Sequence, residues 1–338
     1  MADQLGFVEA FLPDKAGQNR RLERIAVLID WDGFLTYLPP SPPPGPGRPA
    51  YRALAMFKAH LLAQWYQLSD PALEEALADR ISFRKFCGFA LDMTPPDETT
   101  FCRFRQALSQ NGRAEGLMAE LDRQLGSRGF LIKEGTMIDA TLVEAQAKRP
   151  SGDLAELSAR GDGKTASNTE GAADKTASET LSDPDARFAK KGGKTVYGYK
   201  GHVAVDLGSG LIRRAIFTPA NIHDTTPADD LVMGDERAVY ADKAYATHAR
   251  RKALKARGIK DRIMHRPNKH HPDLPFWQAR RNRLIQPIRA AVERTFGTLK
   301  RSYGYTCVRY TSMAANAVEF LLKCIAFNLR KAATLAAG

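Results

Sequence analysis

At Leu131 the spacing of apolar residues changes period, and nothing else in the chain constrains its fold as tightly. Downstream, MIDATLVEA, KGHVAVD and GLIRRAIFTPA are β-rich runs separated by turn residues, the pattern of adjacent antiparallel strands. The GSG around Ser209 reads as the turn between the last two. Further on, the pattern predicts a short helix over Asp224 to Met233, a strand at AVYADKAY, and a basic helix over Thr247 to Arg257. IKDRIMHR reads as the last strand. A long helix is expected from about Gln286 to Tyr303, with Pro287 in its first turn. A final amphipathic helix uses Val318, Leu321, Leu322, Ile325 and Leu329. Together these predict an α/β fold, a mixed sheet with flanking helices, preceded by an all-helical region.

Upstream of Leu131 the chain divides at Pro39 to Pro49 (PPSPPPGPGRP), a linker that can form neither a helix nor a central strand. Residues 1–50 are therefore expected to be irregular and residues 51–130 to form a helical domain. Leu54, Phe57, Leu61, Trp65 and Leu68 recur at helical spacing. In DETTFCRFRQAL, Asp97 or Thr99 can cap a helix that presents Arg103 and Arg105. Short helices with arginines near a helix start suit a helix-turn-helix-like DNA reader, and they suit packing or dimerisation equally. Within residues 131–338, the stretch from 149 to 186 is poor in apolar residues and rich in Gly, Ser, Thr, Ala and Asp, as expected of a flexible insertion.

The net charge of +12 is unevenly placed. Met1 to Gly135 carries 16 basic against 17 acidic residues, and Thr136 to Ala241 carries 13 against 16. Asp242 to Tyr310 carries 18 against 4, so a polyanionic partner is expected on the C-terminal third. Cys87, Cys102, Cys307 and Cys324 form no CxxC pair and lie among apolar residues, which favours free thiols in a reducing compartment. With no leader and no long apolar stretch, a cytoplasmic protein without a membrane partner is expected.

Three carboxylates carry the chemistry. Asp139 and Asp242 sit in or at the end of apolar, strand-like runs, and Glu293 sits on a helix rich in Arg and Lys. At about 100° per residue, Gln286, Arg289, Glu293 and Lys300 share one face, beside an apolar face of Ile288, Val292, Phe296 and Leu299. Arg294 and Arg301 form a third, basic face. Hard oxygen ligands suit Mg²⁺, and two such ions can serve both oxygens of a phosphodiester displacement. Each acid also has an ordinary reading. Glu293 can bridge Arg289 and Lys300, Asp139 can cap a strand end, and Asp242 can pair with Lys243. His265, His270 and His271 lack partners at zinc spacing, His202 and His223 suit an approach to DNA or the site and a structural role equally, and no phosphate-binding loop or dinucleotide fingerprint is present.

The motifs resemble those of DDE transposases of bacterial insertion sequences, specifically the insertion-sequence-five group. WYQLSDPALEEALADRISFRKFCGF and PPDETTFCRFRQAL are similar to that family's helical N-terminal domain. MIDATLVEA, GYKGHVAVD, TPANIHD and YADKAY are similar to its catalytic domain, in order. The C-terminal signature Tyr-x2-Arg-x3-Glu-x6-Lys is matched by Arg289, Glu293 and Lys300, with Gln286 in place of the tyrosine. The resemblance implies an RNase H-like core with a five-stranded mixed sheet, Asp139 on the first strand, Asp242 after the fourth and Glu293 on a late helix. It also implies Mg²⁺, or Mn²⁺ as a substitute, held by these three acids. Arg289 and Lys300 would contact the DNA end, with Lys200, Arg294, Arg103 and Arg105 as further DNA contacts. The implied partners are inverted-repeat ends, target DNA and further copies of the chain in a synaptic dimer or larger multimer.

Overall fold

The computed structural model describes residues 13, 15–40, 49–147, 183–191, 193–267 and 273–337. Most of the expected insertion, most of the Pro-rich linker, and His270 and His271 lie outside the described residues. The chain forms two units, Met1–Phe130 with Leu321–Gly338, and Leu131–Phe320.

In the helical unit, α1 (Arg20–Ala26) and a 3-10 helix (Asp32–Tyr37) occupy a segment expected to be irregular. Asn19 caps α1 by accepting from the Leu22 amide, and Leu22, Ile25 and Phe34 are buried, which supplies the reason for order. Next come α2 (Ala53–Tyr66), α3 (Asp70–Asp79), α4 (Ile81–Cys87), α5 (Glu98–Leu108) and α6 (Arg113–Ser127). The spacing of Leu54 to Leu68 predicts one apolar stripe, yet α2 is buried almost all round, from Ala55 to Trp65 except Lys58. Its run ALAMFKAHLLAQWY is apolar on every side, as a central helix requires. The last helix adds to this core. The Trp65 indole donates to the Ala326 carbonyl at 2.8 Å, and Lys323 donates to the Gln64 amide oxygen at 2.8 Å.

The second unit is built on β1 (Thr136–Glu144), β2 (Arg187–Lys191), β3 (Lys194–Asp206), β4 (Ile212–Pro219), β5 (Ala238–Ala241) and β6 (Lys260–Ile263). β1 lies between antiparallel β3 and parallel β5, and β6 continues parallel to β5. The far edge of β3 is shared, its first half by β2 and its second by β4. Strands β1, β3, β4, β5 and β6 thus reproduce the expected five-stranded mixed sheet, and β2 is a short sixth. The β3–β4 turn is fixed by Asp206, whose carboxylate accepts from both the Ser209 amide and its hydroxyl.

Three helices complete the unit: α7 (His248–Ala256), α8 (Phe276–Ser302) and α9 (Met313–Leu335), of which α9 belongs to this unit only as far as Phe320. Two expectations change. Asp224 to Met233 forms successive turns and no helix, with Pro227 at its middle denying a helical N–H. Helix α8 begins ten residues before Gln286, so Pro287 lies inside it. Its missing N–H leaves the Arg283 carbonyl without a helical partner, and Arg283, Gln286 and Pro287 are all exposed, so water can serve that oxygen.

Among the described residues each unit buries one histidine. His60 packs against Phe101 and Phe104, and burial first, then the Arg105 charge, depresses its pKa to about 4. His202 on β3 shares a hydrogen bond with the Thr218 hydroxyl at 2.9 Å, and burial lowers it to about 4 as well. The unfolded chain takes up these protons near 6.5 while the folded chain refuses them until about 4. Stability is therefore whole above 6.5 and falls as pH drops from there toward 4, by up to roughly 3 kcal/mol per histidine. Thermal melts between pH 7 and 4.5 should show this decline, and His202→Gln should flatten it in the sheet unit. An unchanged slope in that variant would remove His202 as a cause.

Candidate active site

The strand register brings two of the acids together. β1 and β5 pair at Thr136 with Val239 and at Met137 with Tyr240. Two residues further along each parallel strand stand Asp139 and Asp242, at one level and, by the two-residue alternation, on one face. Asp139 stays within β1, opposite Val203 of β3. Asp242 follows the last residue of β5 and caps a 3-10 helix (Lys243–Tyr245), its carboxylate accepting from the Lys243 amide at 2.6 Å. The expected Asp242–Lys243 contact thus runs through the backbone.

Helix α8 packs over this face with Ile285, Val292, Phe296 and Leu299 buried, and it places Arg289 between the aspartates. One guanidinium nitrogen lies 3.8 Å from Asp139 and another 3.4 Å from Asp242. Glu293 follows one turn later and is exposed. Among the described residues no three His, Cys, Asp or Glu side chains approach closely enough to hold one metal ion. The acid pair nonetheless fits a divalent ion. A cation already lies between the carboxylates, both are part-exposed, and Mg²⁺ commonly binds through one or two carboxylates plus waters and substrate phosphate.

Two further groups belong to this region and were not found in the sequence. Burial, followed by the negative charges of Asp139, Asp224 and Asp242, holds the Tyr245 phenol well above its usual range. The Tyr245 hydroxyl is buried and makes no hydrogen bond among the described residues. Asp224 is ion-paired with Lys200 at 2.8 Å. The only hint of either in the sequence was membership of the NIHD and ADKAY segments.

The proposed DNA contacts separate clearly. Lys200 is mostly buried and committed, donating to the Ile222 carbonyl at 2.7 Å besides its pairing with Asp224. Arg105 is buried, and both its terminal nitrogens bond Asp70, at 3.0 and 2.7 Å, so its guanidinium is engaged within the helical unit. A guanidinium that has exchanged water for a bidentate carboxylate holds helices together. Arg103 and Arg294 are exposed, and Asp97 is the α5 cap, accepting from the Thr100 amide at 2.7 Å. Lys300 lies part-buried in a recess with Leu142, Glu144 and Cys307. His265 packs edge-on to Trp277, with the ring centroids 5.2 Å apart.

Residues 132–329 match the family model described as the transposase DDE domain, well over half of the chain. The chain belongs to the DDE-domain transposases. Residues 10–107 match a second model, transposase domain (DUF772). Membership makes it a DNA-cleaving and DNA-transferring enzyme of a divalent-metal-dependent family, and it agrees with the mixed sheet and helical N-terminal region. Among solved structures, the piggyBac transposase synaptic complex with hairpin DNA is 10% identical, with a TM-score of 0.44, covering 96% of this chain and 78% of that one. The Mos1 strand transfer complex is 11% identical, with a TM-score of 0.20, covering 85% and 81%. Both are too distant in shape for anything about this transposase to follow from them.

Proposed function

We propose that this transposase binds the inverted-repeat ends of an insertion sequence of the insertion-sequence-five type, cuts a phosphodiester at each end, and joins the freed 3′-hydroxyl to target DNA. The observation that carries this reading is the level, same-face pairing of Asp139 and Asp242 with a cation lying between them. Two Mg²⁺ ions, or Mn²⁺ in their place, would supply charge to the attacking and leaving oxygens of the phosphate. Asp139, within β1, and Asp242, directly after β5, would hold those ions. Glu293, exposed on α8 one turn beyond Arg289, would complete the set and take a proton from the attacking water. Arg289 exchanges the aspartates for a backbone phosphate when DNA enters, and Lys300, Arg294 and Arg103 add phosphate contacts that position the duplex. The enzyme acts in the bacterial cytoplasm as a dimer or larger multimer that holds both ends.

A nuclease of the same fold would cut without joining, so the product distinguishes the two. Incubating the protein with DNA carrying its own flanking repeats, a target plasmid and Mg²⁺ should yield joined molecules, read by sequencing across the junctions. Cut ends without junctions would replace transposition with simple cleavage.

A further inference from the structure

Beside the acid pair the sheet and α8 form a groove of about 450 Å³. Its floor is Tyr240 and Arg262, direct partners across β5 and β6. Tyr240 stands two residues before Asp242 on the same strand face, so the groove opens next to the carboxylates. One wall comes from α8, where Phe276, Arg280, Leu284 and Ile288 follow at four-residue intervals.

The wall is unusual in what it shows to solvent. Phe276 is 74% exposed, Trp277 58% and Leu284 67%, three of the large apolar side chains most open to water in the described structure. Solvated proteins rarely leave such rings together unless a partner covers them. The groove's charge says which partner. Arg262, Arg280 and Arg281 line it, and among the described residues no carboxylate does. Arg281 is drawn toward Asp261 at 3.4 Å, whereas Arg262 and Arg280 are exposed and pair with no acid among the described residues. A protein partner would need acids on an apolar surface. A nucleic acid strand supplies both needs at once, with a flat ring for the aromatics and a phosphate for each free arginine.

We propose that this groove binds an unpaired nucleobase of single-stranded DNA, stacked on Trp277 and Phe276, with Arg280 and Arg262 on the flanking phosphates. The groove is within the roughly 300–1,000 Å³ usual for small-ligand sites, too small for a duplex. The His265 ring lies 5.2 Å from Trp277 and nearly perpendicular to it, which limits the indole's freedom to turn. The inference rests on the DNA-processing reading above, yet it concerns a separate surface and needs no metal.

The indole itself reports the test. Trp31 and Trp65 are only 9% and 7% exposed, so a quencher in solution or a stacked base reaches Trp277 first. In EDTA, emission should be quenched by a duplex bearing a short single-stranded tail, and not by the blunt duplex. Trp277→Phe should abolish the signal. Trp277→Ala should weaken tail binding roughly tenfold, the usual consequence of losing one stacked base. A tail of abasic sugars that quenches equally would overturn stacking and leave only phosphate contact. Emission that instead changes with protein concentration alone, alongside self-association by sedimentation, would assign the groove to a second copy of the chain. Junction formation without tail quenching would sink this inference and spare the proposed function, and quenching without junctions would do the reverse.

Discussion

Asp139→Asn and Asp242→Asn are each expected to lower cleavage of element-end DNA by about a thousandfold or more, with end binding and fold retained. An asparagine keeps the shape and the hydrogen-bonding oxygen but removes the charge. Transition-state stabilisation by a bound divalent ion amounts to several kcal/mol, which is several powers of ten less the residue of partial binding. The fold should tolerate the change, because neither aspartate is fully buried and the cap on Lys243 needs only an oxygen. Cleavage assays alongside gel shifts separate the two effects. Loss of end binding in both variants would mean that the pair holds structure or DNA and not the ion.

Asp235→Ala is expected to destabilise the sheet unit by about 2 kcal/mol, less than breaking a wholly buried ion pair costs because the Asp235 side chain is 41% exposed. Arg213 is fully buried on β4, and its guanidinium meets Asp235 through two bonds, at 2.7 and 3.0 Å. Lys133 adds a third contact at 2.6 Å. Burial pushes the Asp235 carboxyl up, yet Arg213 and Lys133 outweigh it and hold the group well below the usual carboxylate range. Denaturant titration gives the loss directly. Replacing both partners, Arg213→Met with Asp235→Ala, should recover most of it, since no uncompensated charge then remains. A loss below about 1 kcal/mol in the single variant would show that water reaches Arg213 and that the pair is a surface feature.

Local pattern carried the strands of the sheet and the two aspartates, because a carboxylate inside or closing an apolar run is visible in one window of sequence. What brings those aspartates level is the β1–β5 register, a pairing between segments about a hundred residues apart that no local period encodes. The same limit explains Arg105. As a residue type on a capped helix it suits DNA, and its bond to Asp70, on another helix, is visible only in the fold. Helix α8 was shortened in the sequence because Pro287 looks like a first-turn residue, which concealed Phe276, Trp277 and Arg280 on the turns before it. Tyr245 and Asp224 were missed for a further reason. A buried hydroxyl without a hydrogen bond among the described residues, and an acid in a turn whose partner is a lysine on β3, are facts of packing.

The most direct test of the acid pair is Mn²⁺ binding, followed by paramagnetic resonance in the presence of uncut end DNA. The wild-type protein should bind the ion, Asp242→Asn should bind it at least tenfold more weakly, and Arg289→Ala should bind it no less tightly than wild type, since the guanidinium occupies the same place. Equal binding by wild type and Asp242→Asn would contradict the assignment of the metal to Asp139 and Asp242.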